Sequence, residues 1–290
     1  MTLAQPATQA PARGNHDHII DRLIVERAPQ LAGSAFWPLM RPVLYTLLDY
    51  RKARAMADAI GPMTGRAALE AVSALLDIRL TSRGLDRIPP QGRLIVIANH
   101  PTGIADGIAV YDALKVARPD LCFYANADAH RVCSGLTDIL IPVEWVAEKR
   151  TRERTRLTLN MTREAMEAER PLVIFPAGKL ARQGRDGRLA ESPWMTTAVS
   201  LARKYEAPIL PLHVRGPWST LFHFFHGFSG ELRDITLFHE LLNKQGGAFS
   251  IDAGPAIDWR DLDGDVVGVT EALKTHVAVT LGQDPDRSFP

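Results

Sequence analysis

The sequence predicts an α/β fold, with a mixed, largely parallel sheet flanked by helices and an N-terminal helical membrane-associating segment. Three observations carry that reading. From about residue 93 onward, short apolar runs rich in β-branched residues alternate with stretches of helical periodicity. Before about residue 80 the apolar residues recur at helical spacing alone. The chain has 290 residues, 46% hydrophobic and 23% charged, which suffices for one large packed domain and argues against a disordered one. The expected division is a disordered leader over 1–14, a helical region over 15–80 and an α/β domain over 81–290.

Taken in order, residues 1–13 are rich in Ala, Pro, Gln and Thr and lack apolar pattern, hence the leader. Helix is expected over 17–80, from Ile19, Ile20, Leu23 and Ile24 to Leu69, Val72, Leu75 and Leu76, with Gly61-Pro62 separating two helices. Between them, Phe36, Trp37, Leu39, Met40, Val43, Leu44, Tyr45, Leu47 and Leu48 are apolar on most sides and precede Arg51, Lys52 and Arg54. Such a helix suits a membrane interface, with cations facing anionic lipid; it equally suits an internal helix packed on the main domain. Arg41 and Pro42 interrupt the stretch, which falls short of the roughly 18 apolar residues of a spanning helix. Strands are expected over 93–98, 121–125, 139–143, 171–175 and 208–214, with a late one over 249–253. Helices are expected over 107–116, 151–168, 193–205 and 266–281. That alternation implies a largely parallel or mixed sheet.

Composition removes several function classes. Thirty-four basic residues against thirty-three acidic ones leave a charge of +1, so bulk-charge binding of nucleic acid is not expected. Two cysteines form no disulfide framework, and the N-terminus has no secretory signal pattern, which points to a cytoplasmic location, peripheral on the inner face of a membrane. There is no P-loop, dinucleotide fingerprint or Gly-x-Ser-x-Gly elbow; Gly227-Phe228-Ser229-Gly230 lacks the first spacer. His213, His223, His226 and His239 have no cysteine or acidic partner at ligand spacing, so no metal is expected. The aromatic segment 218–228 suits the wall of an apolar tunnel, a lipid contact or ordinary core. The run Lys149, Arg150, Arg152, Arg154 and Arg156 suits an acidic carrier or lipid, or simply a solvated helix.

The stretch Asn99-His100-Pro101-Thr102-Gly103-Ile104-Ala105-Asp106-Gly107 lies between a buried strand and a helix, where α/β proteins gather reactive groups. Its Pro and Gly residues allow a tight loop that brings His100 to Asp106. A carboxylate on one imidazole nitrogen fixes the tautomer and leaves the other as a general base. The same spacing fits a loop histidine beside a helix-capping aspartate.

This stretch resembles the first motif of the glycerolipid acyltransferase (lysophosphatidate acyltransferase-like) family, in which His and Asp form a dyad. Five residues separate them here rather than four, as in a branch of hemolysin-like and lyso-aminolipid acyltransferases. Phe175-Pro176-Ala177-Gly178-Lys179 resembles the family's Phe-Pro-Glu-Gly motif, with Ala177 where Glu is usual and Lys179-Leu180-Ala181 where Thr-Arg-Ser is usual. Pro208-Ile209-Leu210-Pro211-Leu212 resembles the fourth motif. The resemblance spans roughly residues 94–257 and implies an O-acyltransferase whose catalytic pair is His100 and Asp106. It implies substrate contacts at Asn99, Thr102, Gly103, Gly107, Phe175, Pro176, Gly178, Lys179 and Arg182, with Lys179 and Arg182 meeting an anionic headgroup. The acceptor it implies is a lysolipid, most readily a lyso-aminolipid of ornithine or sulfonate type. A 1-acylglycerol-3-phosphate acyltransferase, an inactive lipid-binding scaffold and an acyl-thioester hydrolase, in which water replaces the lipid hydroxyl, are the alternatives. The donor is an acyl carrier protein or coenzyme A thioester serving as co-substrate, with no cofactor.

Overall fold

The computed structural model describes residues 18–144, 150–183 and 189–290. The expected leader, Asp17, Lys149, Arg185 and Arg188 lie outside them.

The N-terminal region is five helices: α1 (Ile19–Arg27), α2 (Pro29–Ala32), α3 (Trp37–Leu47), α4 (Tyr50–Ile60) and α5 (Gly65–Leu76). Gly61-Pro62 does separate α4 from α5. The helical reading through Leu80 overshoots: α5 stops at Leu76, Asp77 turns left-handed at φ 44°, and β1 (Arg79–Arg83) follows. This strand is mostly exposed and reads Arg-Leu-Thr-Ser-Arg, so it has no apolar alternation to reveal it. α3 continues through Pro42, and one of its flanks is anchored where Tyr45 and Tyr50 both donate to the carboxylate of Asp21.

Next come β2 (Leu94–Ala98), α6 (Ile104–Leu114), β3 (Cys122–Asn126), α7 (Asp128–Val132), β4 (Leu140–Val143), α8 (Arg152–Glu167) and β5 (Pro171–Ile174). A two-residue pair, β6 (Arg182–Gln183) and β7 (Leu189–Ala190), precedes α9 (Thr197–Tyr205) and β8 (Ile209–Arg215). Three short helices, α10 (Thr220–His226), α11 (Gly230–Asp234) and α12 (Leu237–Leu242), lead to β9 (Ala248–Ala253). The chain closes with α13 (Val266–Thr275), a π turn over His276–Thr280 and α14 (Leu281–Gln283).

Seven strands form one sheet in the order β1-β9-β8-β2-β5-β3-β4. The five from β8 to β4 are mutually parallel, while β9 and β1 run the other way, joined through the antiparallel β8–β9 pair. The fold is thus α/β with a mixed, mostly parallel sheet. β2 is buried at every position because both sheet faces are covered. Leu94, Val96 and Ala98 enter a core with the N-terminal helices and α6, while Ile95 and Ile97 enter a second core with α8, α9 and α13. β8, the next strand of this sheet after β5, lies on the opposite side of β2, so the chain reverses direction across the sheet at β2. Such a switch point leaves a crevice at the strand ends.

Candidate active site

Ala98 sits beside Leu212 and Ile97 beside Ile174, so the segments leaving β2, β5 and β8 emerge together. Asn99 fastens β2 to β8: its Nδ2 donates to Val214 O (2.9 Å) and its Oδ1 accepts from Val214 N–H (2.7 Å). Its amide is therefore engaged with main chain. The chain then turns through Gly103, whose φ of 98° is open to glycine and where a Cβ would lie 2.9 Å from Leu180 Cδ2.

That turn delivers Asp106 to the first turn of α6, fully buried. Its Oδ2 accepts from Thr102 N–H (2.9 Å) and Gly103 N–H (3.1 Å), and its Oδ1 from the Thr102 hydroxyl (2.6 Å). The same Oδ2 lies 2.9 Å from His100 Nδ1. Capping and dyad, alternatives from sequence, are here one arrangement, since a single carboxylate caps α6 and holds the imidazole. The His100 side chain is 16% exposed, and no described residue hydrogen-bonds its Nε2. Its ring lies on Phe175, with centroids 4.5 Å apart.

The segment after β5 closes the other side. Gly178 is left-handed at φ 61° and its N–H donates to Phe175 O, while Pro176 O accepts from Met195 N–H. Ala181 N–H donates to His100 O (3.0 Å). Ala177 is buried in the second core along with Trp194, and Lys179 is exposed beside it. Gly107 faces open space, with nothing within 4 Å of where a Cβ would stand. The N–H groups of Gly103 and Gly178 are already donated, so neither is free for another acceptor. Arg182 is in β6, and its side chain lies outside the described part of the structure.

Two features near the dyad, the half-buried Glu191 and a buried Lys244–Glu240 pair, carried no sequence signal. Glu191 accepts from His100 N–H and, at 2.6 Å, from the Trp194 indole N–H. Burial pushes its carboxyl up from the ordinary range, opposed by those two donors. Lys244 and Glu240 form a buried pair at 3.5 Å, and burial lowers the ammonium pKa against the pull of Glu240 and Asp106. In sequence, Glu240 and Lys244 look like any solvated i,i+4 pair, and Glu191 belongs to no motif.

The four histidines weighed for metal are dispersed in role. His213 Nδ1 meets Val277 O, His226 meets Arg233 and His239 meets Asp49, while His223 packs against Phe222 and Trp218. Among the described residues no three His, Cys, Asp or Glu side chains gather as metal ligands. Arg150, Arg152 and Arg156 are exposed, and Arg154 pairs with Glu144 at 2.9 Å.

Residues 79–215 match the Acyltransferase family. A lyso-glycine lipid O-acyltransferase of Phocaeicola vulgatus is 25% identical over 202 residues, covering 67% of this chain and 70% of that protein. A second protein of that name, from Bacteroides thetaiotaomicron, is 22% identical over 201 residues, covering 67% and 72%. A crystal structure of the 1-acyl-sn-glycerophosphate acyltransferase PlsC from Thermotoga maritima aligns at a TM-score of 0.45 and 14% identity, covering 93% of this chain and 96% of that one. The match across 79–215 and the two relatives agree: the chain carries a stretch that matches the Acyltransferase family, and the protein is an acyltransferase.

Proposed function

We propose that the protein moves a fatty acyl group from an acyl thioester to the free hydroxyl of a lyso-aminolipid, with His100 as general base and Asp106 holding it. One observation carries this reading: a buried carboxylate, held by three donors of its own loop, presents an oxygen to His100 Nδ1 at the end of β2. With Nδ1–H directed at Asp106, Nε2 is the basic nitrogen. It takes the hydroxyl proton as the oxygen attacks the thioester carbonyl, forming the new C–O bond. The tetrahedral intermediate then collapses, the C–S bond breaks and His100 returns the proton to the departing thiolate. Asp106 stabilises the imidazolium between those two transfers, as in hydrolase triads. No protein nucleophile takes part, so both substrates occupy the site together. The donor is the thioester of acyl carrier protein or coenzyme A.

The relatives' names support a glycine-type headgroup within the lyso-aminolipid class. Ala177 offers no carboxylate to repel an anionic headgroup, and the exposed Lys179 beside it can pair with one. Arg182 is proposed as the second cation. A membrane surface supplies such an acceptor, and α3 is suited to lie on it. No helix among the described residues is long and apolar enough to cross a bilayer. Phe36, Leu39 and Val43 are nonetheless 68%, 76% and 67% exposed on one side of α3, with Arg51, Lys52 and Arg54 following. These residues support a peripheral location on the inner face, held by an outward apolar face rather than by a helix apolar all round.

The experiment is a competition. Lyso-glycine lipid, lyso-ornithine lipid and lysophosphatidate are offered together with one labelled acyl thioester, and products are resolved by mass spectrometry. A glycine or ornithine product formed fastest is expected. Fastest use of lysophosphatidate overturns the aminolipid reading and leaves the acyltransferase; no product from any of the three favours a lipid-binding scaffold.

A further inference from the structure

Four contacts hold His100, and only one comes from its dyad partner. Asp106 fixes Nδ1, Phe175 backs the ring, Ala181 N–H holds the main-chain oxygen, and Glu191 accepts the main-chain N–H. Glu191 is the one ionisable group among the last three. Its other oxygen takes the indole N–H of Trp194, a residue buried beside Ala177 in the second core. The short segment before α9 is thereby tied at once to His100 and to the turn after β5, where Met195 N–H also donates to Pro176 O. Ala177 in that turn offers no carboxylate, and Glu191, 14 residues downstream, supplies one on the segment that Trp194 and Met195 join to it.

We infer that Glu191 is a positioning residue for acyl transfer, clamping the His100 main chain between β2 and the segment before α9. The inference rests on the acyl-transfer reading. A carboxylate accepting an N–H makes a charge-assisted bond, shorter and stronger than a neutral one. Partial burial of Glu191 strengthens it further. The clamp acts on the position of Nε2 relative to the two substrates, and misplacement of a reacting group by about 1 Å costs on the order of 10²-fold in rate. Both Glu191 oxygens are engaged, one by His100 N–H and the other by the Trp194 indole, so the clamp should act on turnover and leave binding alone.

The test uses the full chain and three variants. Glu191→Ala should lower kcat roughly 10- to 100-fold, with KM for lysolipid and for thioester both within twofold of the parent. Glu191→Gln keeps one acceptor for His100 N–H but points its NH2 at the Trp194 indole, donor against donor. Adding Trp194→Phe removes that conflict, so the double variant should be more active than Glu191→Gln alone. Thermal melts establish that each protein is folded, and kinetics are corrected for the folded fraction. An independent reading is the His100 amide proton by NMR. It should lie downfield and exchange slowly in the parent, then move upfield and exchange faster in Glu191→Ala. Folded Glu191→Ala with parental kcat, or a loss spread into both KM values, overturns the inference, as does an unmoved amide. If the parent itself transfers no acyl group, the functional reading fails, and the amide signal still decides whether the clamp exists.

Discussion

In the proposed mechanism His100 and Asp106 carry the chemistry, and each can be replaced without emptying the core. His100→Ala should lower turnover by roughly 10²–10⁴ while leaving the fold intact, because a general base supplies about that factor. Asp106→Asn is the sharper variant. Its oxygen can stay with Thr102 N–H, Gly103 N–H and His100, while its NH2 faces the Thr102 hydroxyl, which can accept. The geometry survives and the charge that favours an imidazolium is lost, so a comparable fall in kcat is expected with little change in melting temperature. Gly103→Ala tests the turn. An alanine at φ 98° is strained, and its Cβ meets Leu180, so activity should fall, and trimming Leu180 to Ala should not restore it. Steady-state kinetics beside thermal melts separate these cases. The dyad was legible in sequence because Pro101, Gly103 and Gly107 make a tight loop between a buried strand and a helix. Glu191 was not, since nothing local marks a glutamate whose partners are an amide 91 residues away and an indole.

At the scale of elements, α3 and the α10–α12 excursion present the apolar surface. Leu39→Glu with Val43→Glu puts two charges on the outward face of α3, where the wild-type side chains stand in solvent. Vesicle co-sedimentation should fall, and turnover of detergent-dispersed lysolipid should hold; equal losses in both assays would assign the face a structural role instead. Raised salt should weaken vesicle binding only in part, because Lys52 is paired with Asp49 at 3.0 Å and Arg54 lies 3.8 Å from Asp58, leaving less cationic charge for lipid. The elements legible in advance were those whose residues are buried on both faces: β2 and β5 are continuous apolar runs. β1 escaped because an exposed edge strand needs no apolar alternation. α10 to α12 escaped because Gly227, Gly230 and short lengths erase helical periodicity; α10 and α11 start at serine caps, with Ser219 and Ser229 accepting from Phe222 and Leu232 N–H.

For the whole molecule, the fold class followed from alternation along the chain, whereas the direction of β9 and β1 did not, since their reversal depends on pairing between strands far apart in sequence. Burial also sets a pH response. His130, His213, His223 and His276 are all held below their ordinary value by burial. Each takes up a proton less readily in the fold than in the unfolded chain, where an imidazole titrates near pH 6.5. Their stabilising effect is therefore full above that pH and lost as pH falls below it, each group contributing up to about 1.4 kcal/mol per pH unit. Melting temperature should drop between pH 7 and 5.5. His276→Phe removes one such imidazole, whose Nε2 is buried without a partner, and should flatten the drop. An unchanged slope in that variant would contradict this account of acid lability. The central claim is acyl transfer by His100 onto a lysolipid hydroxyl, and a single-turnover experiment reaches it most directly. Purified protein in excess is mixed with an isotope-labelled acyl thioester and lyso-glycine lipid, and the O-acylated product is followed by mass spectrometry beside folded His100→Ala. Labelled diacyl product forming rapidly with the parent and roughly 10²–10⁴ times more slowly with the variant is expected; equal rates for the two proteins would contradict the mechanism.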